Sequence, residues 1–208
     1  MKKDCYFCGN YSTINRTFKL FRIMKKIVLF AVMALMAFTA CSQKKSNQQE
    51  TTKEMKTLIA YFSCTGNTKA VANLIQKAIG ADLYEIKPAV AYTEKDLDWR
   101  DENSRSSLEM KDSASRPIIG NKVEDMSAYD TLYIGFPIWW DKAPTIVNTF
   151  IESYDLAGKT IYLFATSGSS TITNSVAELK KTYPSLKFVE GKLLNGATQQ
   201  TVDAWVKK

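Results

Sequence analysis

The chain has 208 residues, and 45% of them are hydrophobic, which is enough for one globular domain with a core and a tail. Its net charge of +7 does not indicate a nucleic-acid partner, because residues 1–40 account for +6 and the remainder is close to neutral. The absence of histidine excludes Ser-His-Asp and Cys-His nucleophile systems and histidine-based metal sites, so any chemistry depends on carboxylates, thiols, hydroxyls or a cofactor.

The first 40 residues have the pattern of an export signal. Residues 24–40 are predicted to be a signal peptide, because two lysines precede an apolar run over 27–40 that is short for a transmembrane helix. Residues 1–23 have no evident role and are predicted to be an upstream extension, which makes Met24 the favoured start. The Cys-x-x-Cys pair in this extension lacks a second pair and is best explained by chance.

The signal peptide is followed by a candidate lipidation site. The segment FTAC, which ends at Cys41, resembles a bacterial lipobox. This resemblance implies that Cys41 is lipidated and that the protein lies in the bacterial cell envelope, outside the cytoplasm, held by a lipid anchor. A plain signal peptide and an uncleaved anchor are the alternatives. Residues 41–56 are polar without apolar periodicity and are predicted to form a flexible tether to a domain over 57–208.

The first half of the domain alternates strands with a helix and then becomes irregular. Apolar and β-branched runs predict strands over 57–62 and 82–87, and the helix between them is expected to stop at Gly80. Residues 89–123 are charged and weakly periodic, which predicts a surface excursion with one helix near 97–110.

The second half of the domain continues the alternation. Its predicted elements are a strand over 131–135, a helix after Pro144, a strand over 160–165, a helix over 173–182, a weaker strand over 186–191 and a last helix bearing Val202, Trp205 and Val206. Alternating strands and helices predict an α/β three-layer sandwich, in which helices cover both faces of a parallel sheet.

Three loops of unusual composition follow the first, third and fourth predicted strands. They span 63–68, 136–144 and 166–170. Because the loops after parallel strands open on the same edge of a sheet, and ligands bind there where the strand order reverses, we expect the three loops to converge on one site.

The first loop has the composition of a phosphate cradle. Hydrogen-bond donors come from Ser63, Thr65, Asn67 and Thr68, Gly66 permits close approach of the backbone, and the following helix presents free N–H groups. The loop has neither the Gly-Lys-Ser/Thr ending of a P-loop nor the three glycines of a dinucleotide fingerprint, so it favours a terminal phosphomonoester. A helix cap followed by a tight turn is the alternative.

The second and third loops have the composition expected around a planar ring. Trp139 and Trp140 cannot both face the core from an extended segment, so at least one indole is expected at the binding edge, where it can stack. The alternative is that both cover core residues under the excursion. The third loop supplies hydroxyl and amide groups for the rim of a heteroaromatic ring, and Gly168 permits close approach.

The segments YFSCTGNTKAVA and YDTLYIGFPIWWDKAPTIVNTFIESYDLAGKTIYLFATSGSS, with the closing Trp segment, resemble the flavodoxin family, especially its bacterial branch with a Pro-Ile-Trp-Trp loop. This resemblance implies a five-stranded sheet of order 2-1-3-4-5 that binds FMN. It implies phosphate contacts from Ser63, Thr65, Gly66, Asn67 and Thr68, ring contacts from Pro137, Ile138, Trp139, Trp140, Thr166, Ser167 and Gly168, and a further contact from Tyr92. Cys64 lies in the phosphate loop and is counted with the cofactor contacts. A thiol near a helix N-terminus can be reactive, and an inert packing role is the alternative.

The resemblance implies a redox protein that transfers electrons through the bound flavin, without a catalytic residue or a metal ligand of its own. One alternative is an NAD(P)H-dependent quinone reductase, in which the excursion forms a wall for a second substrate. Another is a flavin-free interaction module of the cell envelope. The implied partners are a redox protein or a small quinone-like substrate, and the membrane through the lipid anchor only. No nucleic-acid partner is expected.

Overall fold

The computed structural model describes residues 56–207, so the predicted extension, the signal peptide, Cys41 and almost all of the tether lie outside the described residues. Within this range, five strands form one parallel sheet in the order β2-β1-β3-β4-β5. The strands are β1 (Lys56–Tyr61), β2 (Asp82–Glu85), β3 (Tyr129–Pro137), β4 (Thr160–Thr166) and β5 (Lys187–Leu193). The α/β architecture and the order 2-1-3-4-5 are therefore confirmed.

The described part of the chain contains α-helices on both faces of this sheet. They are α1 (Asn67–Ile79), α2 (Arg105–Lys111), α3 (Thr145–Glu152), α4 (Thr173–Thr182) and α5 (Gln199–Val206). Helix α1 stops where predicted, because Gly80 adopts a left-handed conformation with φ of 66° and donates its N–H to the carbonyl of Gln76. Within residues 56–207, none of the helices combines the length and the apolar composition that a bilayer crossing requires.

Side chains of β1 alternate between two apolar cores. Leu58, Ala60 and Phe62 pack on one face of the sheet in a cluster with α3, whereas Ile59 and Tyr61 pack on the other face with α1 and α5. Both faces are covered, and the strands therefore read as continuous apolar runs in the sequence. This arrangement leaves the carboxyl edge of the sheet as the place where the loops meet.

The excursion differs from its prediction. In place of one helix near 97–110, the chain forms a 3₁₀ turn and then the short helix α2. The carboxylates of Asp98 and Asp101 each accept a hydrogen bond from the backbone N–H two residues on, at 3.0 and 2.9 Å. Such local bonds compete with helix formation, so α2 begins only after Ser104, whose hydroxyl accepts the Ser107 N–H.

The two ends of the excursion are fastened together. Pro88 and Ile119 form an isolated antiparallel bridge, and Gly120 donates its N–H to the carbonyl of Lys87 at 2.7 Å. The segment between them therefore starts and ends at one point beside β2.

Candidate functional site

One pocket of about 530 Å³ lies at the carboxyl edge of the sheet. Its lining comes from the loops after β1, β3, β4 and β5 and from one side of α1. The lining residues are Thr65, Asn67, Ala70, Val71, Leu74, Pro137, Ile138, Trp139, Thr166, Ser167, Gly168, Asn195, Gly196 and Ala197. The three loops expected to converge therefore do so, and the structure adds a fourth.

The first loop places free donors at the start of α1. Gly66 has a φ of 85°, and the first hydrogen bond of the helix runs from Ala70 N–H to Gly66 O, so the three intervening amides have no partner within the helix. The first turn of α1 has no acidic residue. The Ser63 hydroxyl is buried and has no hydrogen-bond partner among the described residues. A buried hydroxyl beside a helix N-terminus without a carboxylate suits an anion.

Thr68 points inward and ties two loops together. Its hydroxyl lies 2.8 Å from the Thr166 hydroxyl, and both side chains are buried. Thr166 lines the pocket and Thr68 does not. Thr68 therefore orients the loop after β4 against the loop after β1.

The two tryptophans are separated by a tight turn. Trp139 and Lys142 exchange backbone hydrogen bonds of 3.0 and 2.9 Å, and Trp140 and Asp141 between them have φ of 44° and 65°. Positive φ at both central positions is the pattern of a type I′ turn. Trp139 lines the pocket, whereas Trp140 is 46% exposed at the tip of the turn. Trp139 thus lies at the carboxyl edge of the sheet, where the sequence analysis expected at least one of the two indoles.

Asn195 joins the loops after β4 and β5. Its side chain accepts the Ser167 N–H and donates to the Ser167 carbonyl, both at 2.8 Å. The Ser167 hydroxyl in turn accepts the N–H of Ser170 at 2.8 Å. The pocket side of the third loop is therefore held by hydrogen bonds at both of its ends.

Sequence reasoning missed the contribution of the loop after β5 and of α1. The signal for the former was the Asn195-Gly196 pair, a turn motif directly after a fifth parallel strand. The signal for the latter was the exposed side of α1 next to its first turn, where Ala70 and Leu74 lie one turn apart.

Six of the residues proposed as cofactor contacts do not line the pocket. They are Ser63, Cys64, Gly66, Thr68, Tyr92 and Trp140. Ser63, Gly66 and Thr68 belong to the first loop, residues 63–68, beside the start of α1. Tyr92 lies behind Trp139, with the two ring centroids 5.5 Å apart and nearly perpendicular.

The Cys64 thiol has the properties of an inert packing residue. Burial raises its pKa to about 12, the Arg105 guanidinium lowers it, and the Glu109 carboxylate raises it. At neutral pH the thiol is therefore protonated, which favours the inert role over the reactive one. No group of three His, Cys, Asp or Glu side chains within residues 56–207 is placed to hold a metal.

Comparisons with known proteins agree with this geometry. The flavodoxin family model matches residues 56–208. A crystal structure of a candidate flavoprotein from Bacteroides uniformis is 56% identical, covers 74% of this chain and 99% of its own, and has a TM-score of 0.73. One from Bacteroides eggerthii is 53% identical, covers 73% and 96%, and has a TM-score of 0.71.

A more distant solved structure supports the fold of this chain and nothing further. The flavoprotein from Lactobacillus acidophilus in complex with FMN is 24% identical, covers 73% of this chain and 98% of its own, and has a TM-score of 0.58. No curated protein matches the chain.

Proposed function

This chain belongs to the flavodoxin family, and from that membership we propose that it binds FMN and transfers electrons through the bound flavin. The observation that carries the proposal is the convergence of four loops on one pocket at the carboxyl edge of the sheet. The segment Pro137–Trp140 reads Pro-Ile-Trp-Trp, which supports placing the chain in the bacterial branch of the flavodoxin family that has this loop.

The first loop fits the phosphate of FMN. The Ser63 hydroxyl is buried without a partner, and a phosphate oxygen would satisfy it. A Cβ at position 66 would meet no protein atom within 4 Å, and the φ of 85° favours glycine there. Free amides at the start of α1 add donors and a favourable dipole.

The remaining loops fit a flat ring. Trp139 brings an indole to the lining of the pocket, and Gly168 brings backbone groups to it. The bound flavin supplies the redox chemistry, since it accepts and donates electrons. The residues that line the pocket would hold the ring and orient its edge.

Spectroscopy of the purified chain tests the proposal. After addition of FMN and removal of the excess, we expect a retained yellow chromophore with quenched emission, because an indole wall quenches flavin fluorescence. FMN should bind more tightly than riboflavin, which lacks the phosphate. A protein that neither retains nor quenches FMN would refute the function and leave the fold intact.

The electron donor and acceptor are part of the same proposal. We expect a redox protein or a small quinone-like substrate to exchange electrons with the loaded protein. Steady-state oxidation of NADPH with a quinone by the loaded protein would favour the reductase alternative over an electron carrier.

We also propose that Cys41 carries a lipid that anchors the protein in the bacterial cell envelope. In a bacterial host fed a radioactive fatty acid, the full chain should be labelled and should sediment with membranes. Cys41→Ser should lose both properties, because no other residue can accept the lipid at the cleavage site. Cys64→Ser is the matched control and should keep them. Label that persists in Cys41→Ser would refute the anchor.

A further inference from the structure

A cluster of polar groups in the excursion holds Tyr92. The Tyr92 hydroxyl donates to Glu109 Oε2 at 2.5 Å, and Arg105 Nε donates to Glu109 Oε1 at 2.7 Å. The guanidinium carbon of Arg105 lies 3.9 Å from the centroid of the Tyr92 ring. Arg105 Nη1 also donates to the carbonyl of Val90 at 2.7 Å. We call Arg105, Glu109 and Tyr92 the excursion clamp.

The charged groups of the clamp are largely buried and fully partnered. The side chains of Arg105 and Glu109 are 25% and 14% exposed, so both charges are largely removed from water. Both are compensated, because Glu109 accepts two charge-assisted or short hydrogen bonds and Arg105 is bound through its Nε, one Nη and its flat face. Removing one partner of such a group leaves the other charge half-buried and unpaired.

The clamp continues into the pocket wall through aromatic rings. Tyr92 packs edge-on against Phe62 and Trp139, with centroids 5.7 and 5.5 Å away. Phe62 and Trp139 also meet edge-on, at 5.6 Å. Each of the three rings therefore touches the other two, and Trp139 is the member that lines the pocket.

We propose that Arg105 and Glu109 are positioning residues that hold Tyr92 behind Trp139 and so fix the aromatic wall of the pocket before the flavin binds. The inference rests on the proposed function and gives the excursion a role in the pocket that does not depend on a second substrate. A wall that is already ordered binds its ligand without the cost of ordering a side chain.

The chain offers a matched control for this clamp. Arg116 and Glu152 form a second arginine–glutamate pair at 2.7 Å, which ties the other end of the excursion to α3. Its side chains are 31% and 41% exposed, and Arg116 also donates to the carbonyls of Ser113 and Ser115. Replacing either arginine by methionine removes one charge and one ion pair from the same segment.

The experiment compares Arg105→Met with Arg116→Met in the full chain. Two measurements are made on each variant: the near-ultraviolet circular dichroism of the aromatic rings without flavin, and the dissociation constants for FMN and riboflavin. Immobilising one side chain costs about 0.5–1.5 kcal/mol, so Arg105→Met should weaken both ligands by roughly threefold to tenfold. Arg116→Met should change either affinity by less than about twofold, since exposed ion pairs contribute little.

The dichroism and the two dissociation constants together distinguish an effect through the aromatic wall from a direct effect of the Arg105 charge on the phosphate. Arg105→Met should reduce the aromatic dichroism of the flavin-free protein, and Arg116→Met should not. Unchanged dichroism in Arg105→Met overturns the clamp even if no flavin binds, a result that would refute the proposed function separately. Weaker FMN binding with unchanged riboflavin binding also overturns it, because Arg105 would then act on the phosphate through its charge.

The variant Tyr92→Phe tests the clamp by a smaller change, in case Arg105→Met disturbs the folding of the chain. It keeps the ring and removes only the hydroxyl that Glu109 accepts. If the clamp positions Trp139, this variant should reproduce part of the loss for both ligands with unchanged far-ultraviolet dichroism. Affinities equal to those of the unaltered protein would overturn the role of Glu109.

Discussion

Replacing Trp139 by alanine is expected to weaken FMN binding by about tenfold to a hundredfold and to raise the emission of bound flavin. Stacking of a base on an aromatic side chain contributes about 1–3 kcal/mol, and 1.4 kcal/mol corresponds to tenfold in a dissociation constant. Trp139 is the aromatic side chain in the lining of the pocket, and two further rings hold it from behind. Fluorescence titration with FMN measures the affinity and the emission together.

The adjacent tryptophan provides the matched control. Trp140→Asn removes an indole from the exposed tip of the same turn, and asparagine tolerates its φ of 44°. We expect this variant to keep its FMN affinity within about threefold, which is less than one stacking contact is worth. Trp139→Phe should retain most of the affinity, because it keeps a flat ring. The assignment of the wall to Trp139 is wrong if Trp140→Asn loses more affinity than Trp139→Ala.

The fold was predictable because its signals are local and repeated. Strands of β-branched and apolar residues alternate with helices of 3.6 periodicity, and parallel strands then place all of the following loops on one edge. Convergence of the loops at 63–68, 136–144 and 166–170 followed from that topology alone, without any knowledge of side-chain contacts. The order 2-1-3-4-5 came from the resemblance, since alternation by itself does not specify strand order.

The sequence did not predict in the same way which contact each residue of the site makes. From the sequence, Trp139 and Trp140 were equally good candidates for the pocket wall. The turn with positive φ at Trp140 and Asp141 leaves Trp139 in the lining and Trp140 at the exposed tip. Thr68 reads as a phosphate ligand, yet its hydroxyl bonds to Thr166, which is 98 residues away. Tertiary contacts between loops determine such roles, and composition within one loop carries no information on them.

The excursion shows the same limit at the level of secondary structure. Its weakly periodic sequence was predicted to hold one helix near 97–110, but the Asp98 and Asp101 carboxylates accept local backbone hydrogen bonds that compete with a helix in the first part of that range. The rings that meet behind the pocket come from the residue that follows β1, the excursion and the turn after β3. Only the folded chain brings these three segments together.

The second large effect is expected in the sheet, at Gly135 of β3. This residue pairs with Phe164 of β4, and the Phe164 ring lies over the space where a side chain would stand. A Cβ at Gly135 would lie 2.7 Å from Phe164 Cε1 and closer still to two other atoms of the ring. Overpacking of this kind costs typically about 1–3 kcal/mol, and we expect Gly135→Ala to lower the free energy of unfolding by an amount in the upper part of that range. Chemical denaturation with urea measures it.

A double-mutant cycle tests whether the cause is this one clash. Phe164 is fully buried, so Phe164→Ala by itself should cost about 3–5 kcal/mol through lost contacts and a cavity. In the double variant the new methyl group at position 135 enters that cavity. We therefore expect the double variant to be no less stable than Phe164→Ala, so the coupling between the two sites should be at least as large as the cost of Gly135→Ala alone, about 2–3 kcal/mol. Two effects that simply add would show that the cost of Gly135→Ala does not come from the contact with the Phe164 ring.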